Sequence, residues 1–286
     1  MPEKIIANTI TGASEHFIEL INEGCNVSET HLVLANPVSI LVEDPTACVN
    51  TFIRHNPLDV LLHALWVLTG CQDKRGIEKL LDRTVRDIPL RKLFVVGRHI
   101  ETDRFAVRFC FTEGSENRRY LDAYVYYEEA EAYEFLIEDF AAISMCLQFF
   151  AASLGCGTGH VRIKVDRPMV HKENVDQFYW NIESGWYIGL ANFQICDVEL
   201  DRFISEATLL TQTHQAIGFR TRFLRRVAMP ALQALYRINE PNYEAAYFSI
   251  RSMPGGVDWS AAAMQWYMDV FGSEIRDAIG AGTQQG

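Results

Sequence analysis

Four glutamates, Glu128, Glu129, Glu131 and Glu134, fall within seven residues of the stretch YVYYEEAEAYE. Carboxylates gathered in this way can hold a hydroxyl or a cationic group. Two of them close together raise the pKa of one and can divide the roles of general acid and general base. The same pattern also has a bland form, a solvated link between a strand and a helix. Other reactive side chains are more dispersed. The seven cysteines (Cys25, Cys48, Cys71, Cys110, Cys146, Cys156, Cys196) include no CxxC pair, so they read as reduced thiols and argue against a structural zinc. Cys110 lies inside a strand-like stretch, where a cysteine is more often a small buried apolar residue than a nucleophile. The run FRTRFLRR is a candidate anion site, although an arginine-rich helix offsetting an acidic body is the better-supported reading.

Elements must hold these groups in place. FAVRFCF and YLDAYVYY alternate in the strand sense, and the polar loop TEGSENRR joins them into an antiparallel hairpin. After the glutamates, EDFAAISMCLQFFAASLG is an apolar helix with Glu138 and Asp139 in its first turn, where negative charge suits the dipole. Gly155 marks its end, and HVRIKV is the next strand. Upstream, NPLDVLLHALWVLTG predicts a helix capped by Asn56, with Pro57 in its first turn and Gly70 at its end. Residues 5–22 are expected to be helical. HLVLANPVSILVED reads as two short strands around an Asn-Pro turn. Residues 198–236 read as mostly helical, and 258–279 as a last helix. This mixture of helices and antiparallel strands defines an α+β class.

Composition sets outer limits. At 286 residues and 49% hydrophobic, the chain can bury a full core, and it is read as one domain over 1–286. A net charge of -11 repels a phosphate backbone, which argues against duplex nucleic acid as the main partner. No window approaches the roughly 18 apolar residues of a membrane helix, and the N-terminus lacks the pattern of a signal peptide. A cytoplasmic protein with no membrane partner is expected.

The order of these segments resembles the thymidylate synthase / deoxycytidylate hydroxymethylase family over about residues 34–175. NPLDVLLHALWVLTG is similar to that family's Leu-Trp-x-Leu-x-Gly helix, and DIPLRK stands where it has Asp-Pro-x-Ser-Arg-Arg. The hairpin 105–127 looks like the strand pair after the catalytic cysteine. DFAAISMCLQFFAASLGCGTGHVRI looks like the following helix, Leu-Gly turn and strand. The resemblance implies a mixed or antiparallel sheet covered by helices, and a homodimer joined sheet to sheet. Residues 176–286 form a diverged, helix-rich C-terminal part.

The family adds a cysteine thiolate to C6 of a pyrimidine nucleotide, and C5 then attacks a one-carbon unit from methylenetetrahydrofolate. Carried onto this chain, the resemblance puts Asp103 at the cysteine position, and a carboxylate cannot readily replace a thiolate there. Glu128, Glu129 and Glu131 take the places of the Arg, Ser and Asp of the phosphate-gripping Arg-Ser-x-Asp. No Arg or Lys occurs from 120 to 161, so a small shift of register does not restore that grip. Arg91 and Lys92 match the Arg-Arg that reaches the partner's phosphate. Asp139 falls where thymidylate synthases carry Asn and the hydroxymethylases Asp, a choice that favours cytosine. Asp166 and His171 are candidate sugar or base contacts, and Arg108 on the first hairpin strand is a further candidate contact. The expected His-x-Tyr and a closing apolar tail are absent.

Three functions follow as expectations. The first is a diverged family member without C5 transfer, serving as a nucleotide-related binding, regulatory or structural subunit. The second is an active pyrimidine C5-modifying enzyme of hydroxymethylase type, using methylenetetrahydrofolate. The third is a carboxylate enzyme, such as a glycosidic-bond hydrolase, with Asp103 and one of Glu128, Glu129 or Glu131 as its acid/base pair. No metal site is expected in any of them.

Overall fold

The computed structural model describes residues 2–46, 49–50, 57–69, 99–101, 105–114, 118–132, 135–136, 139–173, 185–186, 200–213, 215–254 and 258–282. Its strands are β1 (Glu3–Ala7), β2 (Cys25–Val27), β3 (His31–Leu34), β4 (Val38–Val42), β5 (Val49–Asn50), β6 (His99–Glu101), β7 (Ala106–Glu113), β8 (Arg119–Glu131), β9 (Gly157–His171) and β10 (Gly185–Trp186). Its helices are α1 (Ile10–Glu23), α2 (Pro57–Thr69), α3 (Asp139–Leu154), α4 (Leu200–Thr213), α5 (Met229–Asn239), α6 (Tyr243–Arg251) and α7 (Asp258–Gly282). A π-helical turn, Leu224–Ala228, leads into α5.

The main sheet has eight strands among the described residues, in the order β1-β4-β9-β8-β7-β6, with β3 added to β9 and β2 to β3. β7 and β8 form the expected antiparallel hairpin, while β8 lies parallel to β9 and β1 parallel to β4. The sheet is therefore mixed, within an α+β arrangement. Alternation sets its two faces. Val107, Phe109, Ala123, Val125, Tyr127, Val161, Ile163 and Val165 are all buried and face the helices. Tyr124 and Tyr126, between them in sequence, stay exposed on the other face.

α3 is the central helix of the core. From Phe140 to Ala151 its side chains are buried on every side, as a helix that is apolar all round must be. Phe150 packs edge-on against Phe109 of the sheet at 4.9 Å. Phe149 turns the other way, to Phe203 at 5.3 Å and Phe223 at 5.0 Å. Gly155 ends the helix at φ 65°, a left-handed conformation that glycine adopts without strain.

Two elements differ from expectation. The helix expected over 5–22 begins only at Ile10, because Glu3–Ala7 pairs with β4 and buries Ile5 and Ala7. Thr9 then caps the helix, its hydroxyl accepting from Gly12 N at 3.3 Å. The strands around the Asn-Pro turn exist but do not pair with each other. Both pair with β9, β4 near its start and β3 near its end. No described helix is long and apolar enough to cross a membrane.

Candidate functional site

The parallel register of β8 and β9 brings several of the sequence-derived candidates to one end of the sheet. Glu129 and Glu131 stand opposite Arg167 and Met169. Glu129 Oε2 accepts from Arg167 Nη1 at 2.8 Å, an exposed ion pair. Glu131 Oε1 accepts from the backbone N–H of His171 at 3.1 Å. Glu128 is exposed. The glutamates are thus engaged separately, one by a guanidinium and one by a peptide group.

Asp166 is nearby on the same pair of strands. It accepts from Tyr126 OH at 2.6 Å and pairs with Lys164 Nζ at 2.8 Å. The Lys164 ammonium, and then the Tyr126 hydroxyl, hold its carboxyl below the usual aspartate range. In return, the hydrogen bond to Asp166 pushes the Tyr126 phenol up. The His171 ring meets His31 edge-on at 4.9 Å, and its Nδ1 accepts from Glu173 N at 3.4 Å. Arg108 lies further along, exposed on β7 opposite Tyr124.

Asp139 sits on the other side of the sheet. It opens α3 with no exposed surface, and both of its oxygens are occupied. Oδ1 is hydrogen-bonded to His63 Nε2 of α2 at 2.9 Å. Oδ2 accepts from Tyr127 OH of β8 at 3.1 Å. One carboxylate thereby ties two helices to the sheet. Sequence reasoning did not single out His63. The available signal was a lone imidazole within the apolar run Val60 to Leu65.

Asp103, Arg91 and Lys92 lie outside the described residues, as do Cys48, Cys71 and Cys196. Of the described cysteines, Cys146 is buried, which pushes its thiol far up, and its Sγ donates to Ala64 O at 3.3 Å. Burial also pushes up the half-buried Cys156 thiol, which outweighs the opposing effect of its own N–H. Neither is an activated thiolate. Cys110 faces the open side of the sheet opposite Asp122. No group of three or more His, Cys, Asp and Glu able to hold a metal occurs among the described residues.

No family model matches the chain, and no curated protein matches it.

Proposed function

We infer that the chain is a diverged protein of thymidylate synthase-like fold that binds a pyrimidine-related ligand as a binding or regulatory subunit and does not carry out cysteine-dependent C5 transfer. The observation that carries this reading is the Glu129–Arg167 ion pair beside the exposed Glu128. In the segment that would grip a 5′-phosphate, one carboxylate is free to repel the dianion. The other already neutralises the nearest described guanidinium.

Two further features support the reading. The carboxylate at the base-reading position spends both oxygens on His63 and Tyr127. The buried Cys146 thiol and the half-buried Cys156 thiol are both shifted away from the thiolate. A ligand lacking the 5′-phosphate fits this charge arrangement better than a nucleotide. Association of two copies through the open sheet face belongs to the same proposal. Ile6, Tyr124 and Tyr126 are 49%, 40% and 41% exposed there, and no described helix covers them.

The test is tritium release from [5-³H]-labelled dCMP, dUMP and their nucleosides with methylenetetrahydrofolate, alongside titration of the same ligands. No release is expected, and nucleosides should bind at least as well as nucleotides. Release from any of them returns the hydroxymethylase-type reading.

A further inference from the structure

A cavity of about 380 Å³ lies where β8 and β9 begin, between the turn end of the β7–β8 hairpin and Glu43 after β4. It is roughly 20 Å along β8 from Glu128, at about 3.3 Å per residue. Asp122 lines it with a carboxylate that is only 1% exposed. A bulge positions that carboxylate. Between the pairs Leu121–Thr158 and Ala123–Val161, two residues of β9 face one of β8. The bulge directs His160 N onto Asp122 Oδ1 at 2.9 Å, and Thr112 Oγ1 reaches the same oxygen at 3.3 Å. Gly159 makes the approach possible. A Cβ there would overlap Oδ1 and stand 2.8 Å from the Leu121 carbonyl oxygen. Glycines also clear room for the Tyr120 ring in the wall, since a Cβ on Gly157 would come within 2.7 Å of it.

The construction leaves two buried atoms unpaired. Asp122 Oδ2 accepts no hydrogen bond among the described residues, and Arg162 Nη2 stands 3.9 Å from it, beyond hydrogen-bonding reach. Arg162 Nε, also buried, donates to nothing among the described residues. The Arg162 guanidinium is held instead over the Tyr124 ring, 5.6 Å from its centroid. An acceptor and a donor left unpaired side by side are costly, and a molecule that satisfies both gains what water bridging them gains only in part. Opposite charges 3.9 Å apart suit an ammonium and a carboxylate carried on one α-carbon. Glu43 and Glu113 add two exposed carboxylates to the lining, so the cavity as a whole favours positive charge.

We propose that this cavity binds a free amino acid with a cationic side chain. Its ammonium donates to Asp122 Oδ2, its carboxylate accepts from Arg162, and its side-chain cation lies beside Glu43 and Glu113. This site is separate from the glutamate end of the strands and does not rest on the pyrimidine reading.

Isothermal titration of the full chain with lysine, alanine, glutamate and cadaverine tests it. Lysine should bind saturably. Alanine and cadaverine, each lacking one of lysine's charged groups, should bind at least about tenfold more weakly, the size of one charge-assisted contact, and glutamate weakest of all. Arg162→Gln and Asp122→Asn should each weaken lysine by about tenfold or more. The first, at a side chain 42% exposed, carries the test if the second does not fold. Glu129→Gln should leave lysine binding unchanged. Absence of lysine binding, glutamate or cadaverine binding as tightly as lysine, or unaltered affinity in Arg162→Gln would overturn the assignment. Lysine binding lost in Glu129→Gln but kept in Arg162→Gln would also overturn it, while leaving the pyrimidine reading untouched.

Discussion

Asp139 is held as a joint between elements. A carboxylate whose two oxygens are hydrogen-bonded to His63 and Tyr127, with no exposed surface, fixes where α2 and β8 meet the start of α3. Removing either partner leaves a buried side-chain oxygen of Asp139 without that hydrogen bond. His63→Ala and Tyr127→Phe should each therefore lower unfolding free energy by roughly 1–3 kcal/mol. Denaturant titration measures this, and stability equal to the parent in both variants would show that the contacts contribute nothing. The triad was half legible in the sequence. Asp139 stood out as a first-turn acid, but nothing in the local pattern says that an imidazole 76 residues earlier will reach it. Asp122 was hidden for a similar reason. It falls within an alternating strand, and only the bulge on β9 turns it into a buried, half-paired carboxylate.

At the level of elements, period and punctuation were enough where they were strong. The hairpin, the helix ending at Gly155 and the helix beginning at Pro57 all follow from alternation, apolar stripes and end signals. Residues 5–7 of β1, directly ahead of a helix, carry too little period to separate strand from helix. Its strand state comes from pairing with β4, a partner more than thirty residues away. The FRTRFLRR segment shows another device that the sequence alone conceals. Glu206 of α4 accepts from Arg220 N at 3.0 Å and Thr221 N at 2.9 Å, capping the approach to the π turn and α5. Burial would raise the Glu206 carboxyl, but the Thr221 hydroxyl and these two peptide N–H groups outweigh it and hold it below the usual glutamate range. A carboxyl whose folded pKa is lowered contributes stability above its unfolded pKa, and that stability is lost as pH falls through the folded value. The stability gap between the parent and Glu206→Gln should therefore be full at neutral pH. It should close on acidification from the ordinary glutamate range downward, as followed by thermal melts across pH. A gap independent of pH would contradict the role given to this cap.

For the molecule as a whole, the two faces of the sheet differ in kind. One is closed by α3 and its neighbours. The other carries exposed tyrosines with basic side chains laid over their rings, Arg162 on Tyr124 and Lys164 on Tyr126, the latter at 5.3 Å. A second copy meeting that face would bury the rings and Ile6 together. Gel filtration should then give a mass near twice the 32.6 kDa of the chain, and Tyr124→Glu should shift it towards the monomer. A monomer at micromolar concentration would remove the dimer from the proposal. The central claim concerns chemistry, and 5-tritium release tests it most directly. The protein, given methylenetetrahydrofolate and [5-³H]dCMP, [5-³H]dUMP or their nucleosides, should release no more tritium than a heat-denatured control. Sustained release above that control, dependent on the folate, would contradict it.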